Sequence, residues 1–350
     1  MQQYIRHLIA KNYGCLKDVE VDLTPLHAFI GPNDSGKSTL LRAARTIVHL
    51  ASDRFLSTTK PESLRPFEPD LYLAQSDLRL TAETTGGLRL SIIGLGKEAQ
   101  INEVLQTEDR THNESKRRTL TKDSESPHWP YLKGARLVRF DPDALRKSSH
   151  LLTDEEIRDF HNDRGFGLPG IYDAILNQGD DAFQKIVIEV RKLFPSVKNI
   201  RLRVASSSEK EIEIELTSGE RVPATFISEG LLFYLGFAAL QSLSPPSLIL
   251  VEEPENGLHP ARIMQIMDIL KHVAKETQVL IATHSPLVIN EMQPEEVTVV
   301  TRDPLRGTSV RPIKDTLNFE GRAKIYALGE LWLSYADGNM EEALLKRKSD

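Results

Sequence analysis

One cysteine, Cys15, stands in the whole 350-residue chain, so no intrachain disulfide can form and the thiol is expected to be an ordinary packed side chain in a reducing cytoplasm. Long apolar runs are missing too. Stretches such as Leu231 to Leu240 fall well short of the roughly 20 residues that cross a bilayer, so no membrane span is expected. The first ten residues carry Arg6 and His7 without an extended apolar core, which predicts no signal peptide. Positive charge is not in excess. Against 50 Asp and Glu there are 44 Lys and Arg, and the net charge of -6 argues against general polyanion binding. Sustained heptads and internal repeats are absent, which excludes long coiled-coil arms and solenoids.

What is present is concentrated in one run, Gly31-Pro32-Asn33-Asp34-Ser35-Gly36-Lys37-Ser38-Thr39. It follows the apolar segment Leu26 to Ile30 and opens a helix-compatible stretch from Leu40 to Leu50, the strand, loop, helix context of a phosphate-binding loop. Gly31 and Gly36 let backbone N–H groups turn inward around an anion, and the helix N-terminus adds partial positive charge. Lys37 is placed to reach the β- and γ-phosphates, and the Ser38 hydroxyl to take a Mg²⁺ position. The run implies binding of a nucleoside triphosphate. No Asn-Lys-x-Asp guanine selector accompanies it, which argues against a GTPase.

Along the rest of the chain, Tyr4 to Ala10 and Val19 to Leu23 have strand-like composition around a turn at Asn12-Tyr13-Gly14. Residues 51–70 read as a loop, and Leu71 to Thr81 with Leu88 to Leu95 as a hairpin. Residues 97–130, rich in Glu, Lys, Arg, Ser and Thr, read as a mobile surface insertion whose Lys116-Arg117-Arg118 cluster is solvated. Helical patterns over 151–195 are interrupted by a breaker segment, Arg164 to Gly170, and paired strands follow at Asn199 to Val204 and Glu211 to Leu216. The tail beyond Lys314 is expected to dock on the surface. Three regions result: 1–140 with the phosphate loop, 141–222 as an insertion, and 223–350.

Four further elements narrow the chemistry. Ser247 to Val251 is a buried-strand run ending in Glu252 and Glu253. Neighbouring strand positions point to opposite sides, so Glu252 is assigned to the metal and Glu253 to activation of the attacking water. Next comes Glu255-Asn256-Gly257-Leu258-His259-Pro260, a turn feeding a helix. The strand Val279 to Thr283 ends at His284-Ser285-Pro286, and a histidine at the carboxyl edge of a parallel sheet is placed to contact the γ-phosphate. Finally, Ile227-Ser228-Glu229-Gly230 precedes an apolar helix, with Ser228 a good N-cap and the N–H groups behind it suited to phosphate.

In this order the elements resemble the ABC-type ATPases, in the soluble branch that holds SMC, RecF and OLD-type proteins, and within it the compact AAA_21-like ATPases found beside bacterial defence genes. The resemblance covers residues 1–50 and roughly 220–312 well, and Gly329-Glu330-Leu331-Trp332-Leu333-Ser334 is similar to that group's C-terminal tail. It implies an α/β P-loop NTPase fold of ABC-ATPase type: a mixed sheet core, a helical lid subdomain and an antiparallel β subdomain. It further implies ATP and Mg²⁺ as cofactors, ATP hydrolysis, and a homodimer bridged by ATP in which Ser228, Glu229 and Gly230 of one copy meet the γ-phosphate held by the other.

An early aromatic contacts the adenine in such proteins, for which Tyr13 is the candidate. Two departures stand out: Glu252 where the family commonly has Asp, and Ser-Glu-Gly where transporters have Ser-Gly-Gly. The glutamine-loop position is left between Gln75 and the Asp141-Pro142-Asp143 turn. Acidic residues after His284 show no paired metal-ligand spacing, so no nuclease is expected in cis. The implied function is an ATPase controlling a nuclease or another nucleic-acid-directed partner in antiphage defence, with DNA or RNA as a further partner. The alternatives are a dimerisation switch with little hydrolysis, which Glu252 favours, and a transporter subunit.

Overall fold

The computed structural model describes residues 4–51, 74–85, 88–95, 98–106, 113–119, 134–153, 158–179, 181–303, 307–316, 319 and 327–331. Contacts divide the chain into two units: Met1–Leu137 with Pro246–Pro254 and Ala274–Asp350, and Val138–Pro245 with Glu255–Val273.

The first unit holds two six-stranded sheets. One is antiparallel throughout: β1 (Ile5–Tyr13), β2 (Leu16–Asp22), β4 (Ala74–Thr84), β5 (Leu88–Leu95), β6 (Glu98–Gln106) and β7 (Asn113–Thr119), in the order β2-β1-β4-β5-β6-β7. β4 and β5 form the hairpin expected from the glycines between them. β6 and β7 correct the reading of 97–130, because 98–106 and 113–119 pair in register where composition predicted no regular structure. An antiparallel ladder needs only backbone partners, so polar strands add to a sheet edge without an apolar repeat. The expected loop at 52–70 and the remainder of 97–130 lie outside the described residues.

The second sheet of this unit is mixed: β3 (Leu26–Ile30), β8 (Ala135–Val138), β13 (Leu248–Glu252), β14 (Gln278–Thr283), β15 (Val297–Asp303) and β16 (Gly307–Pro312), in the order β16-β15-β3-β14-β13-β8. β15, β3, β14 and β13 run parallel, and β16 returns antiparallel to β15. Every residue of β3, β13 and β14 is buried, as parallel strands covered on both faces must be. Helix α1 (Lys37–Ala51) supplies part of that cover. Its Leu40, Leu41, Ala43, Ala44, Ile47 and Val48 are buried in one cluster with Leu8 and Leu80 of the antiparallel sheet and Phe29, Leu250 and Leu280 of the mixed sheet. More than one helical face is therefore apolar, because the helix lies between two sheets. In the same unit the tail residue Leu331 is buried, and the Gly329 N–H donates to Asn290 Oδ1 at 2.7 Å. Trp332 to Ser334 lie outside the described residues.

In the second unit β11 (Glu209–Leu216) is central, pairing antiparallel with β9 (Ser149–His150), β10 (Val197–Val204) and β12 (Arg221–Pro223). Ile200, Ile212 and Ile214 are buried, while Lys198–Glu215 and Arg203–Glu211 pair across the strands at the surface. Around this sheet come α2 (Pro142–Leu145), α3 (Leu168–Asn177), α4 (Ala182–Leu193), α5 (Glu229–Ala239) and α6 (Pro260–Val273). Helix α3 starts inside the expected breaker segment. Gly167 takes φ 107° at the N-cap and Pro169 occupies the first turn, so this Gly-Pro pair initiates a helix. Helix α4 buries Phe183, Ile186, Val187 and Val190, the i, i+3, i+4, i+7 stripe of an amphipathic helix.

Candidate nucleotide site

Strand β3 delivers the chain into the phosphate loop, and β15 and β16 determine its shape. A Cβ at Gly31 would stand 2.1 Å from the Val300 carbonyl oxygen, so only glycine fits. Gly36 is constrained twice: its φ is 108°, and a Cβ would meet Thr308 Oγ1 at 2.5 Å and Cys15 Sγ at 2.9 Å. Thr308 Oγ1 donates to the Ser35 carbonyl at 2.9 Å, and Arg302 Nη1 to that of Asp34 at 3.3 Å. Asp34 is itself left-handed, with φ 62°. Lys37 Nζ donates to the Gly31 and Pro32 carbonyls at 2.9 and 2.8 Å, so the loop's own oxygens hold the cation over the loop. The Ser35 hydroxyl is buried and makes no hydrogen bond among the described residues. Asn33 is exposed, while Ser38 and Thr39 are half-buried at the start of α1.

The carboxylates leave the neighbouring strands. Thr283 is paired with Ile30, and Glu252 with Ala282, across parallel ladders, so Gly31, His284 and Glu253 all emerge at one carboxyl edge of the sheet. Glu252 is the last residue of β13 and only 8% exposed. Glu253 lies just past the strand with φ 48°, and its N–H donates to the Ala282 carbonyl at 2.8 Å. A left-handed turn, rather than strand alternation, therefore separates the two carboxylates, at a cost of about 1–3 kcal/mol that the sheet must overcome. His284 Nδ1 lies 3.6 Å from Glu253 Oε1.

The Ser228–Gly230 segment belongs to the second unit. Ser228 sits at the N-cap position of α5 with φ -60° and ψ 144°, yet its hydroxyl makes no capping bond. Leu231 to Ala239 are buried without a break, whereas Ser228 and Glu229 are exposed. A Cβ at Gly230 would meet nothing nearer than the Gly257 carbonyl oxygen at 3.9 Å. Packing within the chain thus does not demand glycine there, although glycine in a helix costs about 1 kcal/mol relative to alanine. Gly257 differs: its φ is 69° and a Cβ would press on the Phe233 ring at 2.2 Å. In the same turn His259 Nδ1 accepts the Ala261 N–H at 3.2 Å, so this histidine caps α6.

One sequence candidate is corrected. Tyr13 cannot stack on an adenine, because it is fully buried with its hydroxyl bonded to Thr46 of α1 at 3.0 Å. Asp141 caps α2 by accepting the Asp143 and Ala144 N–H groups and pairs with Arg164. Burial raises its carboxyl pKa, but the Arg164 and backbone bonds outweigh that and hold it low. Gln75 falls in β4. An open cavity of about 600 Å³ in the second unit, lined by Lys185, Glu189, Tyr234 and His272 among others, includes none of the residues assigned to phosphate, metal or water.

Residues 26–290 match the family described as "AAA domain, putative AbiEii toxin, Type IV TA system", AAA_21. The chain belongs to this family.

Shorter likenesses point the same way. A 39-residue stretch is 49% identical to the OLD nuclease of Thermus scotoductus, covering 11% of this chain and 7% of that protein. Another 124 residues are 27% identical to ABC transporter A family member 2 of Arabidopsis thaliana, covering 34% and 12%. The chain therefore aligns with only a small part of these curated relatives. Among solved structures, the SMC head bound to the C-winged helix domain of ScpA superposes with a TM-score of 0.54 at 16% identity, over 88% of this chain and 97% of that one. An Smc head domain with an extended coiled coil, bound to the C-terminal domain of ScpA derived from Pyrococcus furiosus, gives 0.52 at 15%, over 93% and 98%. At such identity these establish the fold: a P-loop NTPase core of the SMC-head kind.

For an AAA_21 member, the sequence exposed the loop, the carboxylates and the histidine but missed their support. Val300, Arg302 and Thr308 shape the phosphate loop from some 270 positions away, and no local pattern announces that contact.

Proposed function

We propose that this chain binds ATP with Mg²⁺ and hydrolyses it as an ATP-bridged homodimer, and that the cycle controls a nuclease or other nucleic-acid-directed partner. The observation that carries the reading is the shared carboxyl edge of β3, β14 and β13, where the phosphate loop, His284 and Glu253 emerge side by side. The residues fit the group they would hold. Gly31 and Gly36 are glycines because Val300, Thr308 and Cys15 pack against the loop, and the buried Ser35 hydroxyl has no hydrogen-bond partner among the described residues. No group of three or more His, Cys, Asp or Glu among the described residues could hold a metal alone. Mg²⁺ would therefore draw on Ser38, Glu252 and phosphate oxygens, and would offset phosphate charge.

In this reading Lys37 exchanges the Gly31 and Pro32 carbonyls for phosphate oxygens. Glu253 orients the attacking water and takes its proton, and His284, beside it, donates to the γ-phosphate. Ser228, Glu229 and Gly230 complete the neighbour's site, which accounts for an uncommitted hydroxyl and for a glycine that the chain's own packing does not require. The likeness to the OLD nuclease supports a nuclease link and that to SMC heads bound to ScpA a protein partner; the role in defence against foreign nucleic acid is part of the proposal itself. Glu252 favours a second reading, a dimerisation switch with slow turnover, because its extra methylene displaces the metal relative to the usual Asp. Phosphate release from the purified chain, measured with light scattering as ATP·Mg²⁺ is added, tests both. Dimerisation with turnover supports the first, dimerisation without turnover the second, and no ATP response rejects both.

A further inference from the structure

Tyr234 of α5 is only 5% exposed, yet its hydroxyl makes no hydrogen bond among the described residues. It lines the cavity of about 600 Å³ in the second unit, a volume typical of small-ligand sites. Its ring is held edge-on against Phe194, centroids 6.1 Å apart, so the hydroxyl has a fixed place on the wall. Buried hydroxyls are almost always bonded, and one left over at a cavity wall marks a place for a ligand group. Burial pushes the phenol up to about 12, with the Glu189 carboxylate adding to the shift, so it stays protonated at neutral pH. Glu189 thus acts on the hydroxyl without bonding to it. The charges around the cavity also follow an order. Asp181, Lys185 and Glu189 recur at four-residue intervals, so α4 turns an acidic, basic, acidic stripe to it. The Lys185 ammonium has no ion pair among the described residues, although a carboxylate stands one turn to either side. Asp181 makes no capping bond, and the positive end of the α4 dipole offsets its charge. Glu189 meets Lys192 at 2.6 Å, but both side chains are more than half exposed, where such a pair contributes little. His272 of α6 adds an imidazole to the lining, also without a partner among the described residues.

We infer that this cavity binds a small zwitterion, a short peptide presenting one ammonium and one carboxylate. The ammonium lies between Glu189 and the Tyr234 oxygen and donates to both, while the carboxylate meets Lys185. A ligand of one sign is disfavoured, because the same stripe would set a like charge against it. Spacing sets the size. Lys185 and Glu189 are four residues apart, a rise of about 6 Å along the helix. Two residues of extended chain span about 7 Å at most, so the charged ends of a dipeptide or tripeptide match the pair and those of a free amino acid fall short. The site is separate from the nucleotide reading: its lining residues all belong to the second unit, and none is assigned to phosphate, metal or water.

The probe is triglycine, compared with free glycine and with triglycine blocked at both ends, in ligand-observed saturation-transfer NMR on the full chain without nucleotide. Triglycine is expected to bind with a dissociation constant on the order of 1 mM, as so few atoms allow, glycine about 10-fold more weakly, and the blocked peptide not measurably. Tyr234→Phe keeps the ring against Phe194 and removes only the hydroxyl. It is expected to weaken triglycine about 10-fold, and Lys185→Ala by about 10-fold or more. Because the hydroxyl is unbonded, Tyr234→Phe should keep or raise the thermal midpoint, which separates lost binding from lost folding. Equal binding of the blocked peptide overturns recognition by charge. Tighter binding of glycine than of triglycine overturns the peptide in favour of a free amino acid. Wild-type affinity in both variants places the probe elsewhere and overturns the site, as does no transfer from triglycine at about 10 mM, ten times the expected constant. None of these outcomes bears on ATP binding, so the two readings stand or fall separately.

Discussion

His284 Nδ1 lies 3.6 Å from Glu253 Oε1, the two side chains leaving adjacent parallel strands, one straight from β14 and the other through a left-handed turn after β13. The strained turn gives this pair its meaning, because a carboxylate continuing the strand would not be redirected. Glu253→Gln is expected to keep ATP binding and to slow hydrolysis by a factor on the order of 10² or more. His284→Ala should slow it too, and the double variant by less than the product of the two, as for groups acting on one event. Single-turnover phosphate release reads this directly. A multiplicative double variant would show that the pair does not act as a unit, and a far larger effect of Glu252→Gln with intact metal affinity would reverse the two carboxylate roles.

Lys37→Ala removes the cation of the loop and also its bonds to the Gly31 and Pro32 carbonyls. ATP binding should be lost in a calorimetric titration, because the phosphates lose their only cation from the loop and the loop loses an internal tie. Wild-type affinity would remove Lys37 from the site.

Gly36→Ala should damage binding without touching any charged group. The new methyl meets Thr308 and Cys15, and the residue must keep φ 108°. The expected cost is about 1–3 kcal/mol, visible as a lower unfolding midpoint or a displaced loop with weakened ATP affinity. An unaltered variant would mean that β15 and β16 do not shape the loop.

Ser228→Arg should leave ATP binding by the monomer nearly intact and block ATP-driven dimerisation and turnover. Mixing inactive Ser228→Arg with inactive Lys37→Ala should restore part of the ATPase rate, since one composite site then combines an intact loop with an intact Ser228–Gly230. Full activity of Ser228→Arg as a monomer would place completion of the site within one chain.

His27 offers a prediction on stability. It is fully buried in β3, its imidazole bonded to Thr24 and to Thr298, and burial lowers its pKa to about 3 against the opposing pull of Asp22. Between pH 6.5 and about 3 the unfolded chain binds a proton here that the folded chain refuses. Stability is therefore complete above the unfolded value and declines as pH falls, by roughly 1.4 kcal/mol per unit and on the order of 5 kcal/mol in total. His27→Gln should be less stable than wild type at neutral pH and show a shallower loss between pH 7 and pH 5 in urea titrations. Parallel slopes would rule out the buried imidazole as their source.

The residues assigned to the chemistry were legible because each is announced by its neighbours in sequence. Gly31 to Thr39 lies between an apolar strand and a helix, Glu252 and Glu253 end an unbroken apolar run, and His284 ends another; such signals survive without coordinates because strand burial and loop spacing are local. Local sequence also misled. Residues 98–106 and 113–119 looked structureless, yet backbone pairing alone makes them strands, and Tyr13 looked available until the packing of α1 enclosed it. What only the tertiary structure decided are relations between distant positions. Val300 and Thr308 close on the phosphate loop, Arg302 holds the Asp34 carbonyl, Glu253 is turned by its bond to Ala282, and Tyr234 is enclosed at a cavity wall. Sequence pattern records which residues prefer burial or a given backbone shape, but long-range contact is decided by how sheets and helices pack. That packing creates the crowding at Gly36, the strain at Glu253 and the cavity beside Tyr234.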